Sequence, residues 1–144
     1  MALESKSFTV ARLASIPNIG LTMAHGGSGV ERAAGIPISV ERKGRFPELH
    51  GGEIVLTSGL HIGEDWTAWK SFLLAATGAG ASGLIIGLGT EAAFGSLPEQ
   101  VQTLASEHDL PLLTGDIADF GRIAHTITVL HSEGQRESFR RPLD

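Results

Sequence analysis

The sequence predicts an α/β fold: a layered domain with a β-α-β-α-β-α parallel core, preceded by a short N-terminal helix and two N-terminal strands. Three short apolar runs alternate with stretches of helical periodicity in the second half of the chain. These runs are EIVLT (53–57), SGLIIGLG (82–89) and LPLLTGD (110–116). Such runs are typical of strands buried on both faces of a parallel sheet, with the helices as crossovers.

The first part of the chain predicts the short helix and the two half-exposed strands. Thr9 is expected to cap the helix TVARLASI, with Val10 and Leu13 on its inward face. The segments LTMAH (21–25) and IPISVE (36–41) alternate apolar and polar residues, as half-exposed strands do.

Three longer helices are predicted between and after the buried runs. Asp65 is expected to cap the first, which ends at Gly78 or Gly80. Ser96 and Glu99 form an S-x-x-E pattern that predicts a capping box at the start of the second. Residues at helical spacing are predicted to form the inward face of each helix. These are Trp66, Trp69, Phe72, Leu73 and Ala76 in the first helix; Val101, Leu104, Ala105 and His108 in the second; and Phe120, Ile123, Ala124, Ile127 and Leu130 in the third.

Size and charge narrow the classes of function. The length predicts one domain over 1–144, with a core over about 8–131 and a polar tail over 132–144. The net charge is −5, and the basic clusters at 41–45 and 136–141 suit a solvated loop and a tail. We therefore expect no direct nucleic-acid binding by this chain, because such affinity comes largely from Lys and Arg.

Cysteine content and hydropathy indicate the compartment. The chain has no cysteine, which excludes thiolate catalysis and disulfides and is compatible with a reducing compartment. No stretch approaches the roughly 18 apolar residues of a membrane helix. We expect a cytoplasmic protein without membrane contact.

Glycine and hydroxyl residues follow each predicted core strand. Carboxyl ends of parallel strands meet at one edge of an open sheet, where ligands bind. Helix N-termini nearby can hold anions, although the hydroxyls can instead satisfy backbone groups at the turns. The candidate ligand-binding residues are Thr57, Ser58, Gly59 and His61; Gly87, Gly89 and Thr90; and Thr114 and Asp116.

Catalytic and cofactor signals are weaker than the signal for binding. Ser58, His61 and Asp116 could converge as nucleophile, base and acid, but the nucleophile elbow G-x-S-x-G is missing. GLGTEA (87–92) fits G-x-G-x-x-A, yet AFGS separates it from the next helix. The six histidines show no metal-ligand spacing. We expect no enzyme activity, no cofactor and no metal.

A carboxylate opens the first buried run. Glu53 would be costly to bury without hydrogen bonds, and the preceding HGG (50–52) offers backbone N–H donors. We interpret Gly51, Gly52 and Glu53 as a structural motif.

GGEIVLTSGL (51–60) resembles a segment of the N-terminal domain of purine catabolism regulators, the PucR-like family of bacterial transcription activators. FPEL and GVERAAGIPISV precede it, and TVARL, ASGLIIGLG, ASEHDLPLL and DFGRIAHTI occur in the family's order. The resemblance covers residues 8 to 131. The residues that match the family's Gly-Gly-Glu-Leu-x-Leu-Thr-Thr-Gly pattern are Gly51, Gly52, Glu53, Leu56, Thr57 and Gly59.

The resemblance implies a regulatory or ligand-sensing domain with a small effector, purine-related or another polar metabolite. Family members often carry a C-terminal helix-turn-helix region, which we do not expect in this chain. Thr114 and Gly115 depart from the family, which has an apolar residue and proline there. We expect a homo-oligomer. The alternatives are an assembly module that dimerises through the Trp66/Trp69 helix or the tail, and a small hydrolase or transferase using Ser58 and His61.

Overall fold

Residues 9–42 and 46–139 are described by the computed structural model, and they form five strands, four α-helices and two 3-10 helices. The strands are β1 (Thr22–His25), β2 (Pro37–Ser39), β3 (Ile54–Thr57), β4 (Gly83–Leu88) and β5 (Leu112–Asp116). The α-helices are α1 (Val10–Leu13), α2 (Trp66–Gly78), α3 (Glu99–Glu107) and α4 (Phe120–Phe139). The 3-10 helices span Ser28–Glu31 and Ile117–Asp119.

The predicted parallel core is confirmed. The strands form one sheet in the order β1-β5-β4-β3-β2, and β3, β4 and β5 run parallel as neighbours. Leu56 pairs with Ile85, which pairs with Leu113. All of β3 and nearly all of β4 is buried. The exits of these strands therefore lie along one edge of the sheet.

The two short strands occupy the edges, which accounts for their half-exposed pattern. β1 pairs with β5 in the antiparallel sense, whereas β2 pairs with β3 in the parallel sense. The exit of β2 therefore lies beside the exit of β3.

The sheet lies between two hydrophobic clusters. Val55, Leu84 and Ile86 pack with α2 and α3 residues on one face. Leu56 and Ile85 pack with α1 and α4 residues on the other. The helix residues in these clusters are Trp69, Phe72, Leu73, Ala76, Val101 and Ala105 on the first face, and Val10, Leu13, Ile123 and Ile127 on the second.

The predicted helix starts are right in part. Asp65 caps α2 by accepting from the Ala68 N–H at 3.0 Å. Thr9 occupies the N-cap position of α1, but its hydroxyl makes no capping hydrogen bond.

The predicted capping box of Ser96 and Glu99 is wrong. Pro98 is the N-cap of α3, and Glu99 is its first residue. A capping box would require Leu97 to be helical, and a residue before proline is pushed towards extended conformations.

The C-terminal helix extends further than the sequence pattern indicated. The expected polar tail from residue 132 is helical as far as Phe139. Residues 43–45 of the first basic cluster, the side chains of the second, and residues 140–144 lie outside the described part of the chain. Across the described residues, none of the helices is both long and apolar enough to cross a bilayer.

Candidate functional site

A tight loop follows β3 and is fastened to α2. The N–H groups of Ile62 and Gly63 both donate to the Gly59 carbonyl at 2.9 Å. The Trp69 indole donates to the Gly63 carbonyl, also at 2.9 Å. Gly59 has a φ of +77°, in the left-handed region that favours glycine. The loop therefore holds His61 in a defined position beside α2.

The residues at the end of β3 form a hydrogen-bonded clasp with the end of β2. Ser58 donates its backbone N–H and its hydroxyl to the two oxygens of Glu41, at 2.8 and 2.6 Å. The Ser58 Oγ accepts from the Leu60 N–H, and Thr57 Oγ1 accepts from the Gly59 N–H. Both hydroxyls thus hydrogen-bond to other groups of the protein. The sequence offered this as the alternative to ligand binding.

This geometry does not assemble the catalytic triad considered from the sequence. Ser58 is only 5% exposed, and its proton is directed at Glu41 rather than at a histidine. Asp116 accepts from the Ala118 N–H at 2.9 Å, capping the 3-10 helix that follows β5.

A cavity of about 530 Å³ opens between α2 and the segments that follow β2 and β3. We call it the aromatic groove, since the Phe72 ring packs edge-to-face with the rings of Phe46 and His61 at 5.4 and 5.6 Å. Its lining residues are Val40, Arg42, Phe46, His61, Ile62, Asp65, Ala68, Ser71, Phe72 and Ala75.

The polar groups of the aromatic groove are few and of both signs. Arg42 contributes a guanidinium, which can pair with a carboxylate through two hydrogen bonds. Asp65 uses one oxygen to cap α2, and Ser71 adds a hydroxyl. Aromatic walls with a cation at the rim suit a planar molecule that carries a negative charge.

Of the predicted ligand-binding residues, only His61 lines the aromatic groove. Gly87 is buried, and Ile117 and Phe120 close over it. Gly89 donates its N–H to the Phe94 carbonyl at 2.9 Å, at the start of an ordinary loop. Thr90 is exposed just after β4, and Thr114 is half-buried in the middle of β5.

Sequence reasoning missed Glu41, Arg42 and Phe46. All three follow β2, and the pattern IPISVE does not reveal that β2 lies parallel to β3. With that pairing known, the exit of β2 would have been counted among the strand ends that surround a ligand.

Gly51, Gly52 and Glu53 lie at the opposite end of β3 from the aromatic groove. The Glu53 carboxylate accepts from the N–H groups of His50 and Gly51, both at 2.8 Å. Burial raises the pKa of this carboxyl, but the backbone hydrogen bonds and the nearby His50 outweigh that effect, and the pKa lies below its ordinary value.

Within the described residues, no three His, Asp or Glu side chains come together in a way that could hold a metal ion.

Comparison with protein families matches residues 11–128 to the purine catabolism regulatory protein-like family, PucR. Searches among curated proteins and among solved structures give no match.

Proposed function

The chain belongs to the purine catabolism regulatory protein-like (PucR) family, and on that basis we propose that it senses a small polar effector for a transcription regulator. The effector binds in the aromatic groove, beside the exits of β2 and β3. The transcriptional setting supports a cytoplasmic location.

The observation that carries the proposal is the shape and lining of the aromatic groove. Its volume of about 530 Å³ falls within the roughly 300–1,000 Å³ of small-molecule sites. Its walls are mainly apolar and aromatic, with a small number of polar groups. That composition holds a ligand by burial and fixes its orientation by a few hydrogen bonds.

Each wall has a role that follows from its chemistry. Phe46 and Phe72 offer apolar surfaces to a planar ring or amide. Arg42 pairs with the anionic group of the ligand. The clasp between Glu41 and Ser58 keeps Arg42 near the β3 exit, because Glu41 is its neighbour in the chain.

The proposal requires no catalytic step. The Ser58 hydroxyl is buried and hydrogen-bonded to Glu41, so it is not available as a nucleophile without breaking the clasp. A sensing role needs only that the ligand prefers one of two arrangements of the domain.

Thermal unfolding in the presence of candidate ligands tests the proposal. The panel contains purines, urate, allantoin and small carboxylates. We expect at least one to raise the melting temperature by about 5–10 °C at roughly one hundred times its dissociation constant. If no ligand in the panel stabilises the chain, the sensing role is contradicted.

Two arginine variants test the location of the site. Arg42→Ala should reduce the stabilisation by an anionic ligand, because it removes the guanidinium at the rim. Arg12→Ala is the matched control, since Arg12 is exposed on α1, which packs on the other face of the sheet. Equal losses in the two variants would place the ligand elsewhere.

A further inference from the structure

A second groove lies on the other side of α2, between α2 and α3. Its volume is about 600 Å³, and it is open to solvent along the outer surface of the two helices. Trp66 and Lys70 are four residues apart and therefore share a helix face, whereas Ser71 and Ala75 face the aromatic groove. The residues that line this α2–α3 groove are Trp66, Thr67, Lys70, Glu99, Gln100, Thr103 and Leu104.

The apolar part of the α2–α3 groove is held in place before any partner arrives. The Trp66 ring stacks on Phe94, with centroids 6.2 Å apart and planes inclined by 19°. Leu104 is half-buried in the groove. Leu74 lies one turn beyond Lys70, outside the groove but on the same face of α2, and is 48% exposed. Ordered aromatic residues of this kind are enriched among the residues that dominate protein interfaces.

The charges of the α2–α3 groove are self-complementary. Lys70 lies on α2 and Glu99 begins α3, so one patch carries both signs. Among the described residues, no ion pair engages either side chain. In a two-fold interface across this groove, a contact between Lys70 of one copy and Glu99 of the other is necessarily made twice, because the axis repeats it.

We propose that the α2–α3 groove is an isologous interface between two copies of this chain. Trp66 supplies the apolar anchor, and Lys70 and Glu99 supply two symmetric ion pairs. Trp69 lies on the same helix but adds no surface to the interface, because its side chain is fully buried and its indole donates to the Gly63 carbonyl. The interface does not depend on the aromatic groove being an effector site.

Analytical ultracentrifugation of the 144-residue chain over a range of concentrations tests the interface. We expect a monomer–dimer equilibrium for the wild type. Lys70→Glu and Glu99→Lys should each raise the dimer dissociation constant by about tenfold or more, because each places like charges opposite one another. The double variant K70E/E99K restores opposite charges and should return the dimer constant to within about threefold of the wild type.

Leu74→Ser tests the apolar part of the interface, and Val129→Ser is its matched control. Both remove an exposed apolar side chain, 48% and 38% exposed, but Val129 lies on α4, which packs against the other face of the sheet. Only the Leu74 variant should weaken the dimer, and circular dichroism should show that all variants remain folded.

Three outcomes would overturn the interface. If the wild type stays monomeric at every concentration, the proposed interface does not exist. Failure of the double charge exchange to restore the dimer, in variants that are folded, shows that the two charges do not meet. A dimer weakened by Val129→Ser but not by Lys70→Glu places the contact on α4.

Discussion

At the scale of single residues, the corner before β3 shows why two glycines precede a buried carboxylate. Gly51 and Gly52 have φ angles of +112° and +92°, and these turn the chain into the sheet. Gly52 donates its N–H to Gly80 and accepts at its carbonyl from Gly35, each at 2.7 Å. The corner therefore joins the loop before β2 to the loop after α2, and Glu53 fixes its conformation.

Replacing Glu53 tests the contribution of this corner to stability. Glu53→Gln removes the charge and turns an amide NH₂ towards one of the N–H donors of His50 and Gly51. We expect the free energy of unfolding at pH 7 to fall by about 1–3 kcal/mol, since a hydrogen bond to a charged group is lost and the amide of the buried side chain faces a backbone donor. Urea unfolding measures the change.

Glu48→Gln is the control for that experiment, because Glu48 is an exposed carboxylate in the same loop. We expect a change of less than about 0.5 kcal/mol there. Equal effects of the two substitutions would mean that the hydrogen bonds of Glu53 contribute nothing to stability.

At the scale of the element, α2 is the helix on which both grooves depend. Its start is fixed by the Asp65 cap and by the bond from Trp69 to Gly63. A Cβ atom at Gly59 would lie 2.9 Å from the Trp69 ring. The β3 exit and the helix therefore fit together only with glycine at this position.

Two glycine-to-alanine substitutions near the ends of α2 should have opposite effects. Gly59→Ala forces alanine into a φ of +77° and against Trp69, so we expect a loss of about 2 kcal/mol or more. Gly78→Ala meets nothing within 4 Å, and we expect a gain of up to about 1 kcal/mol from helix propensity. Thermal unfolding of both variants measures the difference. A neutral Gly59→Ala would show that the loop can move away from Trp69.

At the scale of the whole molecule, short-range patterns predicted more of the fold than of the site. The runs containing Val55, Ile85 and Leu113 are apolar because both faces of each strand are covered, and this is visible in the sequence itself. The clasp between Glu41 and Ser58 joins residues from different strands. Such a contact depends on how strands pair, and a local pattern does not contain that information.

The candidate site illustrates the same limit. His61 follows a buried strand and was predicted to face a ligand, and it does line the aromatic groove. Arg42 and Phe46 reach the groove only because β2 lies parallel to β3 at the sheet edge. Gly87 satisfied the strand-end rule but is covered by Ile117 and Phe120, which come from the 3-10 helix after β5 and from the start of α4.

Two carboxylates are expected to make the fold less stable as the pH becomes acidic. Asp109 accepts hydrogen bonds from the hydroxyl and the N–H of Ser28, 81 residues away in the chain. These bonds, with His25 and Arg32 nearby, hold the pKa of Asp109 below its ordinary value despite some desolvation. The pKa of Glu53 is also lowered. Asp109 holds the 3-10 helix Ser28–Glu31 in place. Glu53 does the same for the corner before β3.

The sign of the pH dependence follows from these directions. A carboxyl with a lower pKa in the folded state stabilises the fold fully above its ordinary value, which is 4.5 for Glu53 and 3.8 for Asp109. The stabilisation is lost as the pH falls through the lower pKa values of the folded state. We expect the urea midpoint of the wild type to fall as the pH is lowered from 5 towards roughly 2, and the E53Q/D109N variant to show a shallower fall. The E48Q/E107Q variant removes the same number of charges from exposed positions and should follow the wild type. A common pH profile for all three proteins would mean that Glu53 and Asp109 do not couple protonation to folding.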